Sequence, residues 1–316
     1  MEAALYDPRH GYYMRAKEKF GWRGDFTTAP VLDASLGKAI ARWVRRETKE
    51  RRGPVTIIET GAGNGQLANQ ILKSLGWWGR RRIHYHIVEI SPWLTQQQQS
   101  TRFARQIIWH QDLASALAAS ESPVIISNEF VDAFPCRFLQ FQGGRWHEVG
   151  LRFMGDSRIR EELLPLEGVP ESSALETYGD AWPREGQRVE IHESYRRWFE
   201  GYFTSAMPCT LLTIDYGGRF PDLYHRRPLG TLRAFFQQMR LEQEEIYQRA
   251  GQQDITADVN FTDLERLGRR HGFQTEIQSM REFVAQVDPG ALAARTDLFQ
   301  AEGAGGAFQV LTLRRK

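Results

Sequence analysis

Between residues 55 and 127, short runs of β-branched and aliphatic residues alternate with segments whose apolar positions recur every three to four residues. Val55–Glu59, Ile83–Glu89, Ile107–Trp109 and Pro123–Ser127 are the strand-like runs. Each is almost unbroken in apolar character, which marks strands buried on both faces in a parallel sheet covered by helices. Between them, Gln66–Leu75 places Leu67, Ile71, Leu72 and Leu75 on one helical face. Ser91-Pro92 suits a helix start, and Gln96–Phe103 continues that helix.

From about residue 136 the rhythm changes. Phe138–Phe141 and Trp146–Phe153, joined across Gly143-Gly144, predict a hairpin. Residues 155–188 lack regular patterning, and Ile191, Tyr195, Trp198, Phe199 and Tyr202 predict a helix over 191–206. Cys209–Asp215 reads as a fifth core strand, ending in Tyr216-Gly217-Gly218. A stretch rich in Gln and Glu occupies much of 219–260 and supports no assignment. Phe261–His271 then reads as a helix, with strands at Phe273–Gln278 and Phe308–Leu313. No internal repeat is visible. The pattern as a whole is α/β, with a mostly parallel core interrupted by insertions.

Composition narrows the function classes. The 316 residues are 41% hydrophobic and 25% charged, with a net charge of +2, ordinary values for a globular chain with a sizeable core. That balance predicts no strong attraction to nucleic acid or to an anionic membrane. Arg80-Arg81-Arg82 and Arg314-Arg315-Lys316 read as solvated loop and tail, and Trp77-Trp78 as packing or interface residues. Cys136 and Cys209 are the only cysteines and read as thiols. No membrane span or signal peptide is evident, and Glu2 and Asp7 argue against a transit peptide, so a cytoplasmic protein is expected. His84 and His86 share a strand face without a third ligand, so no metal site is expected. No serine sits in a nucleophile elbow.

The candidate chemistry begins at Glu59-Thr60-Gly61-Ala62-Gly63-Asn64-Gly65. A dinucleotide fingerprint places its third glycine where this chain has Gln66. S-adenosylmethionine carries no phosphate, and its loop has only to turn sharply and let the backbone approach a nucleoside and an amino-acid tail, a task suited to glycine. Glu59 would face the cofactor's cationic groups. Glu89, at the end of the next strand, would accept hydrogen bonds from both ribose hydroxyls. Asp112 and Leu113, near the end of the third strand, would flank the adenine.

Strand four ends in Asn128-Glu129-Phe130-Val131-Asp132-Ala133-Phe134-Pro135. In open parallel sheets ligands bind beyond the carboxyl ends of the strands, so Asn128, Glu129 and Asp132 are candidates for the acceptor site. Two carboxylates could grip a guanidinium, which stays charged at ordinary pH, and would fit an amine as well.

These segments resemble the MidA-like methyltransferases, a family that includes an arginine-methylating assembly factor of mitochondrial complex I. The resemblance begins at Leu5-Tyr6-Asp7-Pro8, Gly11-Tyr12-Tyr13 and Gly24-Asp25-Phe26-Thr27-Thr28-Ala29-Pro30. It continues through the glycine loop, Val88–Pro92, Asn128–Pro135, Trp146–Val149 and Asp215-Tyr216-Gly217 to Asp254–Phe261. It implies a Rossmann-like class I methyltransferase fold, S-adenosyl-L-methionine as cofactor, and Gly24, Asp25, Phe26 and Thr28 over the methionine end. It also implies one domain over 1–316, with a cofactor-covering region at 1–50. The insertions 136–207 and 219–260 would form a substrate or partner subdomain. Asp258 stands where the family usually has histidine, Gly303–Gly306 is looser than the family's ending, and a helix usual before Leu5 is expected to be missing. The expected activity is protein arginine N-methylation. Methylation of a small molecule or another protein side chain is the enzymatic alternative, and a cofactor-binding assembly factor for a respiratory complex, with little turnover, is the other.

Overall fold

The structure is a computed structural model that describes residues 1–316 except 22–23, 26–28, 156–158, 178–181, 205 and 294–303. Helix α1 (Glu2–Tyr6) opens the chain, followed by α2 (Ala29–Leu32) and α3 (Ser35–Glu47). Helix α3 buries Leu36, Ile40, Trp43 and Val44 along one face. Strand β1 (Val55–Thr60) is buried at all six positions, as a central parallel strand requires. Helix α4 (Gln66–Arg80) runs on from the predicted Leu75 across a break at Gly76. Then come β2 (Ile83–Val88) and α5 (Pro92–Gln99), capped by Ser91 with Pro92 in its first turn. Strand β3 (Ile107–His110), α6 (Leu113–Leu117) and β4 (Val124–Asn128) complete the half anticipated from the apolar runs.

The hairpin forms as β5 (Arg137–Gln142) and β6 (Arg145–Phe153), with Gly143 and Gly144 both at positive φ in its two-residue turn. The unpatterned stretch contains β7 (Ile159–Pro165), and β8 (Arg188–Ile191) follows. Ile191 therefore ends a strand, and α7 spans only Glu193–Tyr202 rather than 191–206. The apolar spacing was real, but Ile191 satisfies its backbone by pairing with Arg137 of β5. Strand β9 (Cys209–Gly218) is the fifth core strand. The Gln- and Glu-rich stretch contains β10 (Arg233–Phe236), β11 (Met239–Leu241) and β12 (Asp254–Thr256). The chain closes with β13 (Val259–Asn260), α8 (Phe261–Arg270), β14 (Gln274–Ser279), α9 (Met280–Val287) and β15 (Phe308–Arg315).

The main sheet has the order β3-β2-β1-β4-β9-β15-β14, with β13 paired to β9. Only β15 runs antiparallel to its neighbours along that path. Alternate residues feed two cores. Ile57, Ile87, Ile126 and Ile214 pack against α3, α4 and α9, while Ile58, Ile125 and Leu211 pack against α6, α7 and α8. Strand order reverses between β1 and β4, which opens a crevice at their carboxyl ends. Two smaller antiparallel sheets, β7-β6-β5-β8 and β11-β10-β12, come from the insertions.

The insertions are joined by a buried carboxylate. Glu190 of β8 accepts from the amides of Thr231 (2.6 Å) and Leu232 (2.8 Å) and from the Thr231 hydroxyl (2.9 Å). Glu190→Ala should leave the buried Thr231 amide and the half-buried Leu232 amide unpaired and lower the unfolding free energy by about 2–4 kcal/mol. Urea denaturation checks this, and an unchanged midpoint would contradict it.

Candidate functional site

A cavity of about 930 Å³ lies over the carboxyl ends of β1, β2 and β4. That is ample for a nucleoside-sized ligand together with part of an acceptor. Its floor is the loop after β1. Gly61, Gly63 and Gly65 have φ of 65°, 54° and 78°, the left-handed region where side chains are strained. A Cβ on Gly61 would stand 2.4 Å from the Phe130 ring, and one on Gly63 would stand 3.1 Å from Phe20. Gly61 and Gly63 border the cavity, and Gly65 behind them caps α4. The loop is a cradle that a methyl group would fill, which fits the cofactor expected from its spacing.

Glu59 and Glu89 both border this space. Glu59 accepts a hydrogen bond from the Tyr85 hydroxyl at 2.6 Å, and burial pushes its carboxyl up to about 7. Glu89 accepts from the Ser91 amide (2.9 Å) and from Gln98 Nε2 (3.0 Å), and burial raises it also to about 7. Gln98 was not anticipated. Its Nε2 also donates to the Gly63 carbonyl at 2.8 Å, and its Oε1 accepts from Trp109 Nε1 at 3.0 Å. One amide thus locks the glycine loop, Glu89 and β3 together. Nothing in the run Gln96–Gln99 distinguishes that glutamine from its neighbours.

Asp112 and Leu113 lie on the cavity wall. Asp112 also caps α6, accepting from the Ser115 amide at 2.8 Å, and that bond holds its carboxyl below the usual range. Asp25 borders the cavity, but its oxygens are taken by the Tyr12 hydroxyl (2.9 Å), Lys17 Nζ (2.7 Å) and the Gln237 amide (2.8 Å). It ties the N-terminal arm to the turn after β10 rather than offering a free carboxylate. Gly24 sits against the backbone of Lys19, where a Cβ would meet the carbonyl carbon at 2.3 Å. Phe26 and Thr28 lie outside the described residues. Of the stretch 1–50, the arm before α3 reaches the cavity through Glu2, Tyr6, Tyr13, Phe20, Asp25 and Pro30. Helix α3 packs with α4 on the face of the sheet.

Asn128, Glu129 and Asp132 are brought together at the end of β4, all bordering the cavity. Asn128 Nδ2 donates to Glu129 Oε1 at 3.1 Å, and Glu129 holds a φ of 48°, a strained backbone for a side-chain-bearing residue. The turn is held by Asp215, whose role sequence reasoning missed. Asp215 Oδ2 accepts from the amides of Phe130 (3.1 Å), Val131 (3.1 Å) and Asp132 (3.3 Å). Its Oδ1 accepts from the Tyr216 amide at 3.0 Å. Asp132 is buried, accepts from the Tyr216 hydroxyl, and has a second oxygen with no hydrogen-bond partner. Burial raises its carboxyl to about 6, opposed by Tyr216 and by the charge of Arg233.

Tyr6, Tyr13, Arg233 and Asp254 also border this end of the cavity. Asp254 is buried, accepts from the Tyr13 hydroxyl at 2.8 Å, and is pushed up to about 7 by burial. Tyr6 stacks on Tyr13 and donates to the Ala133 carbonyl at 2.9 Å. Asp258, behind Arg233, forms ion pairs with Arg227 and Arg233. Arg233 in turn lies 4.6 Å from the centre of the Tyr216 ring. His86 pairs with His110 at 2.8 Å, and no cluster suited to a metal occurs among the described residues.

Gly61→Ala is expected to weaken S-adenosylhomocysteine binding roughly tenfold or more, because strain and the Phe130 contact act together. Gly143→Ala, also at positive φ but facing open space, should leave that affinity unchanged. Calorimetric titration of both variants makes the comparison, and equal affinities would refute the cradle.

Known proteins resemble this chain along most of its length. A family described as "Putative S-adenosyl-L-methionine-dependent methyltransferase" matches residues 36–279. The Caenorhabditis elegans "Protein arginine methyltransferase NDUFAF7 homolog, mitochondrial" is 26% identical, over 91% of this chain and 71% of that protein. The Drosophila melanogaster protein of the same name is 25% identical, over 86% and 66%. A solved COG1565 superfamily member from Burkholderia thailandensis, bound to S-adenosyl-homocysteine, superposes with a TM-score of 0.83. It is 26% identical, over 99% of this chain and 86% of that one. Both animal relatives are named as mitochondrial, which overturns the cytoplasmic expectation drawn from the N-terminal charges. With more than half of its length matched to the family and a Rossmann-like sheet carrying the glycine cradle, the chain belongs to these S-adenosyl-L-methionine-dependent methyltransferases.

Proposed function

We propose that this methyltransferase modifies an arginine side chain of a protein, with Glu129 and Asp132 gripping the guanidinium and Asn128 assisting. The observation that carries the reading is the set of carboxylates at one end of the cavity. Glu129, Asp132 and Asp254 border it together with Tyr6, Tyr13 and Tyr216. A delocalised cation with several N–H donors suits acids flanked by aromatic rings. The animal relatives, named protein arginine methyltransferases, support the same acceptor.

Glu59, Glu89, Asp112 and Leu113 would hold the cofactor over the glycine loop, and the cofactor, when bound, supplies an electrophilic methyl group. Glu129 and Asp132 would fix the plane of the guanidinium, and such positioning supplies a large share of the rate in a displacement. Tyr216 holds Asp132 Oδ2, while the buried Oδ1 has no hydrogen-bond partner, so an acceptor N–H that displaced the side chains covering it would satisfy it. A carboxyl raised to about 6 is ionised at neutral pH, yet more basic than an ordinary aspartate. It can therefore take the proton that leaves the nitrogen. The sheets β7-β6-β5-β8 and β11-β10-β12 would form the wall that receives the protein acceptor.

With cofactor saturating, kcat/KM for the acceptor should rise as pH climbs through about 6, because the gripping, ionised Asp132 exists only above its raised pKa. Asp132→Asn should remove that step and lower the rate roughly a hundredfold or more. Transfer of labelled methyl to lysate proteins, followed by hydrolysis and identification of the labelled amino acid, gives the direct test. Label on lysine or on a small molecule would reject the arginine acceptor. No label despite retained S-adenosylhomocysteine binding would favour an assembly role with little turnover.

A further inference from the structure

The fold joins two sequence features that had no apparent connection, Trp77-Trp78 and Arg80-Arg81-Arg82. Helix α4 buries Leu67, Ile71, Leu72 and Leu75 and then breaks at Gly76, where φ is 67° and ψ 175°. The break turns the next two side chains away from the core. Trp77 is 51% exposed and Trp78 76%, their rings meeting edge to face at 4.5 Å. The Arg81 guanidinium covers the Trp77 ring at 3.7 Å and lies 5.8 Å from that of Trp78.

The cations around this pair are bonded without being neutralised. Arg45 donates to the carbonyls of Ser74 and Leu75, Arg80 to that of Leu72, and Arg82 to those of Arg51 and Gly53. Carbonyl partners fix a guanidinium in place without cancelling its charge; Arg45, Arg81 and Arg82 are exposed, while Arg80 is half-buried over the Phe103 ring. The acids on this side are spoken for, since Glu47 pairs with Arg314 and Glu50 lies beside Lys49. The patch also sits at the amino end of the sheet. The Val55 amide donates to the Arg82 carbonyl there, whereas the cavity opens at the other end of β1.

We propose that this patch docks the enzyme on an anionic phospholipid surface. Indole rings settle at headgroup depth because one edge is polar and the body apolar, and arginines around them draw the surface in. No described helix is long and apolar enough to cross a membrane, so the contact is peripheral. Docking by this end leaves the carboxyl end of the sheet turned toward water, where a protein acceptor can reach the cavity. The edge-to-face arrangement, with Arg81 over Trp77, presents no open stack of ring faces for successive nucleic-acid bases.

Co-sedimentation with vesicles tests the proposal. The whole chain should pellet with phosphatidylcholine vesicles containing phosphatidylglycerol, and not with phosphatidylcholine alone. Its tryptophan emission should shift to the blue, and added salt should reverse the binding. Trp77→Ala with Trp78→Ala should abolish the shift and weaken binding roughly tenfold or more. Arg81→Gln, and then Arg80→Gln and Arg82→Gln, should weaken it roughly fivefold per charge. Each variant should keep its S-adenosylhomocysteine affinity, which separates loss of docking from loss of fold or of cofactor binding. Equal binding to neutral vesicles, none to anionic ones, or variants that bind like wild type would overturn the proposal. So would a concentration-dependent dimer, or tight binding of a single-stranded RNA oligonucleotide, that is lost in the tryptophan variant while vesicle binding persists.

Discussion

The site is organised around the side chain of Asp215. One of its oxygens accepts three successive amides from the turn that follows β4, and the other accepts the amide of Tyr216. Burying a carboxylate is costly unless donors surround it, and here the donors are the backbone itself. That arrangement forces the turn into a tight bend, with Glu129 at positive φ, so that Glu129 and Asp132 reach the same cavity. It also seats Phe130 against Gly61. The turn after β4 and the glycine loop are therefore interlocked, and neither could be repacked alone.

A second layer of contacts closes the cavity from above. The N-terminal arm is held by short polar contacts, some within itself and some to distant parts of the chain. Tyr12 and Lys17 bind Asp25, Tyr13 binds Asp254, the Ser91 hydroxyl binds the Tyr13 carbonyl, and Tyr6 binds the Ala133 carbonyl. Beneath them, Leu5 and Tyr12 share a small core with Ala234, Leu241, Ile246 and Ile255 of the second insertion. The cover is thus a packed element in its own right, and it brings aromatic rings to the carboxylates. Isolation from water strengthens each charge–charge contact within the site.

The parallel core was legible in the chain because strands covered on both faces are rich in β-branched and aliphatic residues, and β1, β2 and β4 each carry such a run locally. The hairpin β5–β6 was equally legible, since Gly143-Gly144 writes its turn into two residues. Strands β7, β10, β11 and β12 were not. They are short or partly polar, and β10 and β11 turn on Gln237-Gln238, which carries no glycine to mark it, so no local period reveals them. Ile191 shows the same limit from the other side: its apolar spacing continued a helix, and only the presence of β5 made it a strand.

The site divides in the same way. Gly61, Gly63, Gly65, Glu59, Glu89 and the acids after β4 were visible from sequence, because a loop that needs positive φ and a carboxylate at a strand end are local requirements. Which acids would stand free was a matter of tertiary structure. Asp25 and Asp215 carry the same side chain as Asp132, yet their oxygens are filled by donors from remote segments, while Asp132 keeps one oxygen unpartnered. Gln98, Tyr13 and Asp254 entered the site for the same reason. By itself the sequence determined the cofactor cradle and the sheet beneath it. Which side chains border the cavity with an oxygen unpartnered depended on the fold, because a hydrogen bond between residues on separate elements leaves no local trace in either one.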